Sequence, residues 1–208
     1  MSRLGRYAIP GDTHRVETTI LRSRFVTTIG HAPTVDEARA FIARVSDEFP
    51  EATHNCWAFV VGPPGDTSHV GMSDAGEPHG TAGKPMLAVL LGSGLGDIVA
   101  VVTRYYGGTK LGRGGLARAY SGGVKAVLED LPRAERVSKT RLRVGLGYEA
   151  VDPVRRILDD HEAQVSDENY GAGVTLTIDL PDERVDAFVE QVAGITKGTA
   201  TVEREGAR

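Results

Sequence analysis

The sequence has a single cysteine, Cys56, in 208 residues, so no intrachain disulfide can form and a disulfide scaffold is excluded. One free thiol agrees with a reducing compartment. No apolar run reaches the roughly 18 residues that a membrane span needs. The opening residues lack the apolar core of about 7–15 residues that a secretory signal carries, so a cytoplasmic chain with no membrane partner is expected. Aromatic residues are few, at 6%, and no internal repeat is visible. With 40% hydrophobic and 25% charged residues the composition is that of an ordinary globular protein, neither collagen-like nor a disordered tail.

Acids are also missing locally. None occurs between Asp97 and Glu129, a stretch that holds Arg104, Lys110, Arg113, Arg118 and Lys125. Residues 1–137 carry 15 Lys and Arg against 14 Asp and Glu, whereas residues 138–208 carry 9 against 14. A polyanion responds to such local charge more than to the net −4 of the chain.

Patterning predicts an α+β chain of two domains. In the first, residues 14–30 suit one long strand or a hairpin. Thr34 and Glu37 form a capping box before a helix with Val35, Ala38, Phe41, Ile42, Val45 and Phe49 on one face. THNCWAFVVG (53–62) and DIVAVVTRYY (97–106) read as buried strands, with Trp57 and Phe59 as core. A helix is expected from Gly115, with Leu116, Tyr120, Val124, Val127 and Leu131 on its stripe, until Pro132 stops it. The charged segment PRAERVSK (132–139) has no apolar periodicity and marks the boundary, giving domains 1–135 and 139–208. The second domain reads βαββαβ, the ferredoxin-like order, with its first helix capped by Asp152 ahead of Pro153 and His161 complementing that helix's dipole.

Two segments carry the chemistry. SDAGEPHGTAGKP (73–85) packs Asp74, Glu77, His79, two hydroxyls (Ser73, Thr81) and Lys84 beside three glycines. Asp74, Glu77 and His79 are weak candidates for metal binding or acid–base work. The plainer alternative is a tight turn whose side chains bond their own backbone. A P-loop is excluded, because Pro78 replaces the required glycine and Pro85 the Ser or Thr after the lysine. The second segment ends a strand at Arg104-Tyr105-Tyr106 and continues through Gly107, Gly108, Lys110, Gly112, Arg113, Gly114 and Gly115 to a helix with Arg118. Glycines, free backbone N–H groups and a positive dipole end make an anion site, and Tyr105 or Tyr106 is placed to stack on a base. GRGGLA (112–117) formally matches a dinucleotide fingerprint, but the run of βαβ units that such a fold needs is absent. Cys56, two residues after His54 and on the same strand face, reads as a core thiol rather than a nucleophile.

SRF (23–25), ATHNCWAF (52–59), SDAGEPHGTAGKP (73–85) and VVTRYYGGTKLGRGGLARAY (101–120), with the small C-terminal domain, together resemble the IMPACT family in its bacterial YigZ-type branch. Two departures stand out. Ala75 occupies the second position of a pair that the family writes as two aspartates, and Tyr106 stands where phenylalanine is usual. The resemblance implies an N-terminal ribosomal protein S5 domain 2-like α/β domain and a ferredoxin-like C-terminal domain similar to the last domains of elongation factor G. It also implies a translation-linked protein, since eukaryotic members are regarded as regulators that bind a partner of a stress kinase. It brings no catalytic residue set, metal or cofactor.

Three functions follow as expectations. The first is binding of RNA or the ribosome, with Arg104, Lys110, Arg113 and Arg118 on phosphates. The second is an enzyme acting on a phosphorylated small molecule around Asp74, Glu77 and His79. The third is a protein-interaction regulator using the acidic C-terminal domain. If segments 73–85 and 104–118 meet in space, the enzyme gains; if they lie apart, binding gains.

Overall fold

Leu21 and Arg22 settle the first ambiguity. Both have positive φ, 45° and 67°, so the chain reverses there and residues 14–31 form a hairpin. The computed structural model describes residues 5–205. The chain divides at 6/7 and 136/137 into two compact units. The longer unit runs through β1 (Arg6–Pro10), β2 (His14–Ile20), β3 (Ser23–His31), α1 (Val35–Glu48), β4 (His54–Val61), β5 (His69–Ser73), α2 (Gly83–Leu91), β6 (Ile98–Tyr105), α3 (Gly112–Asp130) and β7 (Arg133–Val137).

Five of its strands form one antiparallel sheet in the order β2-β3-β6-β4-β5. Alternation along β6 divides the core. Val99 and Val101 pack with Phe59, Ala38, Phe41 and Val45 under α1. Ala100 and Val102 pack with Phe25, Cys56, Met86, Leu116 and Tyr120 under α2 and α3. Helix α1 starts at the expected cap, with the Thr34 hydroxyl accepting from Glu37 N–H at 3.1 Å. The structure is thus of mixed α and β type, with helices on both faces of the sheet.

Four elements differ from expectation. Helix α2 was not anticipated, because GKPMLAVLL is apolar all round and shows no 3.6-residue stripe; Pro85 is tolerated in its first turn. Edge strand β5 covers residues 69–73, to which the patterning assigned no element. Helix α3 begins at Gly112, three residues before the expected start at Gly115 and four before its apolar stripe, so periodicity alone could not mark its first turn. Segment 132–139 contains β7, which pairs with β1 in a two-stranded ribbon. That ribbon is fastened to the main sheet by the buried Asp97, whose carboxylate accepts from the Tyr7 hydroxyl (2.8 Å), Gly62 N–H (2.8 Å) and the Arg136 guanidinium. Burial, reinforced by Asp97, pushes the Tyr7 hydroxyl up to about 12.

The shorter unit contains β8 (Lys139–Leu146), α4 (Tyr148–Arg156), β9 (Gln164–Tyr170), β10 (Val174–Pro181), α5 (Val185–Thr196) and β11 (Thr201–Glu205). Its antiparallel sheet has the order β11-β8-β10-β9. Leu142, Val144, Leu176, Ile178 and Phe188 lie in its core. Helix α4 starts at Tyr148, so Asp152 is not its cap and Pro153 lies inside it, three residues from its end. His161 does not serve that helix's dipole either. It is buried in a separate 3-10 turn, with Nε2 2.7 Å from Gln191 Oε1 and its ring edge-on to Phe188. No helix among the described residues is long and apolar enough to cross a membrane.

Candidate functional site

Strand register sets Arg104 opposite Phe25 on one side and His54 on the other, on the face that α2 and α3 cover. A cation in that row needs a partner, and the 73–85 segment supplies it. Ala75 and Gly76, at φ 44° and 87°, turn the chain sharply after β5 and direct Glu77 inward. Glu77 Oε1 then accepts from Arg104 at 2.5 Å and from the Tyr120 hydroxyl at 2.8 Å. Arg104 also donates to Ser23 Oγ at 3.2 Å, and that oxygen accepts from Gly107 N–H at 3.2 Å. His54 Nδ1 donates to the carbonyl of Ala75 at 2.9 Å, leaving Nε2 4.0 Å from Glu77. Glu77 and Arg104 are both buried, so the acid and the base close on one another instead of facing solvent.

Asp74 has a different task. Its two oxygens accept from the N–H groups of Gly80 (2.7 Å), Ala82 and Gly83 (both 2.9 Å). These are the donors at the start of α2, whose own cap residue, Ala82, has no side chain to offer. Burial opposes ionisation of Asp74, but the three N–H donors outweigh it and hold the carboxyl below its usual range. His79 stands fully exposed, with Nδ1 3.8 Å from Asp74. Thr81 is buried and donates to the Pro78 carbonyl at 2.6 Å. Cys56 donates to the Asp74 carbonyl at 2.9 Å, and burial pushes its thiol up to about 12, far from the thiolate that a nucleophile needs. Burial, with Cys56 and Glu77 close by, also raises the Tyr120 hydroxyl. Among the described residues no three His, Cys, Asp or Glu side chains come close enough to share a metal ion.

Segments 73–85 and 104–118 therefore meet, through Arg104 and Glu77 and again through Arg113, which donates to the His79 carbonyl at 2.8 Å. The groups that meet are mostly occupied by each other. Arg104 is inside the protein, so it does not present its guanidinium to a phosphate. Tyr105 is half-buried with Arg24 stacked on its ring at 4.3 Å, whereas Tyr106 is 46% exposed. Ser73 caps the turn by accepting from Ala75 N–H at 3.1 Å.

The outward part of the second segment is differently built. Helix α3 opens with Gly112, Arg113, Gly114 and Gly115, and no side chain caps its N-terminus. In the longer unit Arg15, Arg24, Arg39, Arg44, Arg104 and Arg136 each lie within 4.0 Å of a carboxylate. Among the described residues of this unit Arg22, Lys84, Lys110, Arg113, Arg118, Lys125 and Arg133 have no carboxylate that close. All seven are exposed. Arg22 lies in the β2–β3 turn, Lys84 on α2, Lys110 in the glycine-rich loop, Arg113, Arg118 and Lys125 on α3, and Arg133 at the start of β7. Ser23, Tyr120 and Arg133 were not singled out as site residues from sequence; the hydroxyl of Tyr120, on an otherwise apolar stripe, was the one available signal.

Residues 21–128 match the Impact N-terminal domain, and residues 144–199 match a domain of unknown function (DUF1949). The chain belongs to the IMPACT family. It is similar to the IMPACT family member YigZ of Escherichia coli (strain K12), with 40% identity across 93% of this chain and 95% of that one. An IMPACT family member of Haemophilus influenzae is 36% identical across 96% and 97%, and YvyE of Bacillus subtilis (strain 168) 35% across 91% and 86%. A crystal structure of a hypothetical protein matches 99% of this chain and 100% of its own, with a TM-score of 0.72 and 38% identity.

Proposed function

We propose that this IMPACT family protein is a non-catalytic, cytoplasmic, translation-linked regulator that binds RNA, alone or in the ribosome, through the glycine-rich basic loop and the first turn of α3. One observation carries this reading: Lys110, Arg113 and Arg118, exposed and without a carboxylate within 4.0 Å among the described residues, stand at the uncapped N-terminus of α3 and along its first two turns. Free N–H groups and unpaired Lys110, Arg113 and Arg118 attract phosphate, and exposed Tyr106 offers a ring to an unpaired base. Single-stranded or structured RNA suits this surface better than duplex DNA, because no helix projects as a major-groove reader. Arg104 takes a positioning role, bracing the loop through Ser23 and Gly107. In this reading the longer unit has the ribosomal protein S5 domain 2-like fold and the shorter one the ferredoxin-like fold of the last domains of elongation factor G. The βαββαβ order and the β11-β8-β10-β9 sheet support the second assignment.

The test is fluorescence anisotropy of a labelled single-stranded RNA across a salt series, comparing wild type with Lys110→Ala/Arg113→Ala. Micromolar or tighter binding is expected to fall steeply with salt, and the variant to lose about 1.4 from the log–log salt slope, or 0.7 per phosphate contact. Absence of binding at low salt would overturn the reading. The meeting of segments 73–85 and 104–118 is the arrangement expected to favour an enzyme, but the gain is offset because Glu77 is buried in an ion pair with Arg104 and Asp74 is engaged by three backbone N–H groups.

A further inference from the structure

Between α2 and α3 lies a groove of about 880 Å³. Its uncharged floor mixes small residues, among them Ala88, Gly92, Ser93 and Ser121, with the apolar Val89 and Leu128, and its charged lining consists of Arg118, Lys125, Arg133 and one acid, Glu129. Arg118, Ser121 and Lys125 follow one another at spacings of three and four, so they form a single row along α3. None of the three cations has a carboxylate within 4.0 Å among the described residues. A groove with an uncharged floor and an excess of unpaired positive charge is complementary to a chain of regularly spaced anions.

A second observation concerns glycine. Gly123 is explained by packing, because a Cβ there would lie 2.4 Å from Thr27 Oγ1 beneath the helix. Gly114 and Gly122 have no such reason. Neither has a positive φ, and a Cβ on either would meet nothing within 4 Å. Glycine inside a helix is unfavourable relative to alanine, so two that the fold does not require point to something outside that comes close to the helix. Gly114 lies four residues before Arg118, Gly122 four after it, and Lys125 three beyond, so glycines and unpaired cations alternate on one side of α3.

We propose that an RNA strand lies along α3, its phosphates on Arg118, Lys125 and Arg133 and its sugar or base faces on the uncharged floor of the α2–α3 groove. This rests on the RNA-binding reading above and extends it from a loop to a track. Helix α3, from Gly112 to Asp130, is about 28 Å long at 1.5 Å per residue, and Arg133 follows three residues beyond it, so the track takes roughly nine stacked nucleotides at 3.4 Å each and fewer if extended. An acidic peptide is the competing occupant, and the polyglutamate arm of the experiment separates the two.

The experiment measures anisotropy with oligouridylates of 4, 8, 12 and 16 nucleotides, and melting temperature in parallel. For wild type, affinity should rise with length up to about nine nucleotides. Gly114→Ala/Gly122→Ala should raise Tm yet weaken RNA binding, a pair of changes that a purely structural role does not produce. Lys125→Ala/Arg133→Ala should flatten the length dependence and lower the log–log salt slope by about 1.4. Ala88→Phe, which fills the groove without removing a charge, should weaken the longer oligomers most. If these variants bind like wild type while Lys110→Ala/Arg113→Ala is weakened, the track is wrong and the loop stands. If wild type binds no oligomer, the loop reading falls and the track with it. Equal binding of a polyglutamate of matching length, with equal loss in the groove variants, would overturn RNA as the occupant.

Discussion

The two faces of the longer unit's sheet are covered by helices of opposite character. On the α1 side each arginine is neutralised: Arg39 lies 3.7 Å from Asp36, Arg44 3.8 Å from Glu48, and Arg15 2.5 Å from Glu48. The rings of Phe41 and Phe49 lie under Arg44 and Arg15. On the α2–α3 side the acids of the 73–85 motif have been drawn inward, Glu77 to Arg104 and Asp74 to the start of α2; Glu129 and Asp130 are exposed at the end of α3, and Arg113, Arg118 and Lys125 remain outside with no carboxylate within 4.0 Å among the described residues. The difference teaches that charge pairing, more than charge content, decides which face of a near-neutral unit addresses a polyanion. The same helices that hide the motif's acids display its bases.

The largest expected effect is on the inner layer of the α2–α3 side. Glu77→Ala leaves Arg104 as an uncompensated buried charge and should cost about 3–5 kcal/mol of unfolding free energy by urea titration. A loss under 1 kcal/mol would mean that the pair is not what holds this face together. Next comes Asp74→Ala, which orphans three N–H donors and should cost about 2–3 kcal/mol. Its pH signature has a definite sign. A carboxyl held below its usual range contributes stability that is complete above the ordinary value near pH 4, and loses it as pH falls through the depressed folded value. Asp74→Asn should therefore show a flatter acid limb than wild type below pH 4.

The outer layer gives the sharpest form of the comparison. Lys125→Glu/Arg133→Glu should weaken RNA binding about tenfold or more, which is about 1.4 kcal/mol. Arg39→Glu/Arg44→Glu on the α1 side should leave binding unchanged. Equal losses from both would show that the faces are not distinct. The smallest effect is at Ala75. Its φ of 44° lies in the left-handed region, which asparagine and aspartate tolerate better than alanine. Ala75→Asn should raise stability by about 0.5 kcal/mol, measured as a higher urea midpoint at constant m-value. Ala75→Asp should ease the turn in the same way.

Much of the fold was legible in the chain. Helix α1 was marked by its capping pair and apolar stripe, and β4 and β6 by runs of β-branched and aromatic residues, because these are local signals with a period of their own. Helix α2 was not legible, since a helix apolar on every side carries no period and its cap, Asp74, lies eight residues before Ala82, the cap position. The candidate site was legible as motifs but not as roles. Arg104 and Arg113 stand in the same basic stretch and looked alike as phosphate ligands.

By itself the amino-acid sequence determined that this is a mixed α/β chain, that its family motifs run from residue 23 to residue 120 of the first part, and that positive charge concentrates between Asp97 and Glu129. These follow from composition and short-range pattern. Only the tertiary structure decided which of those charges face inward. That choice depends on strand register, which sets Arg104 between Phe25 and His54, and on the positive-φ turn at Ala75 and Gly76, which delivers Glu77 from 27 residues away. A buried cation must be met by an anion wherever the chain can bring one, and that constraint acts through space rather than along the sequence.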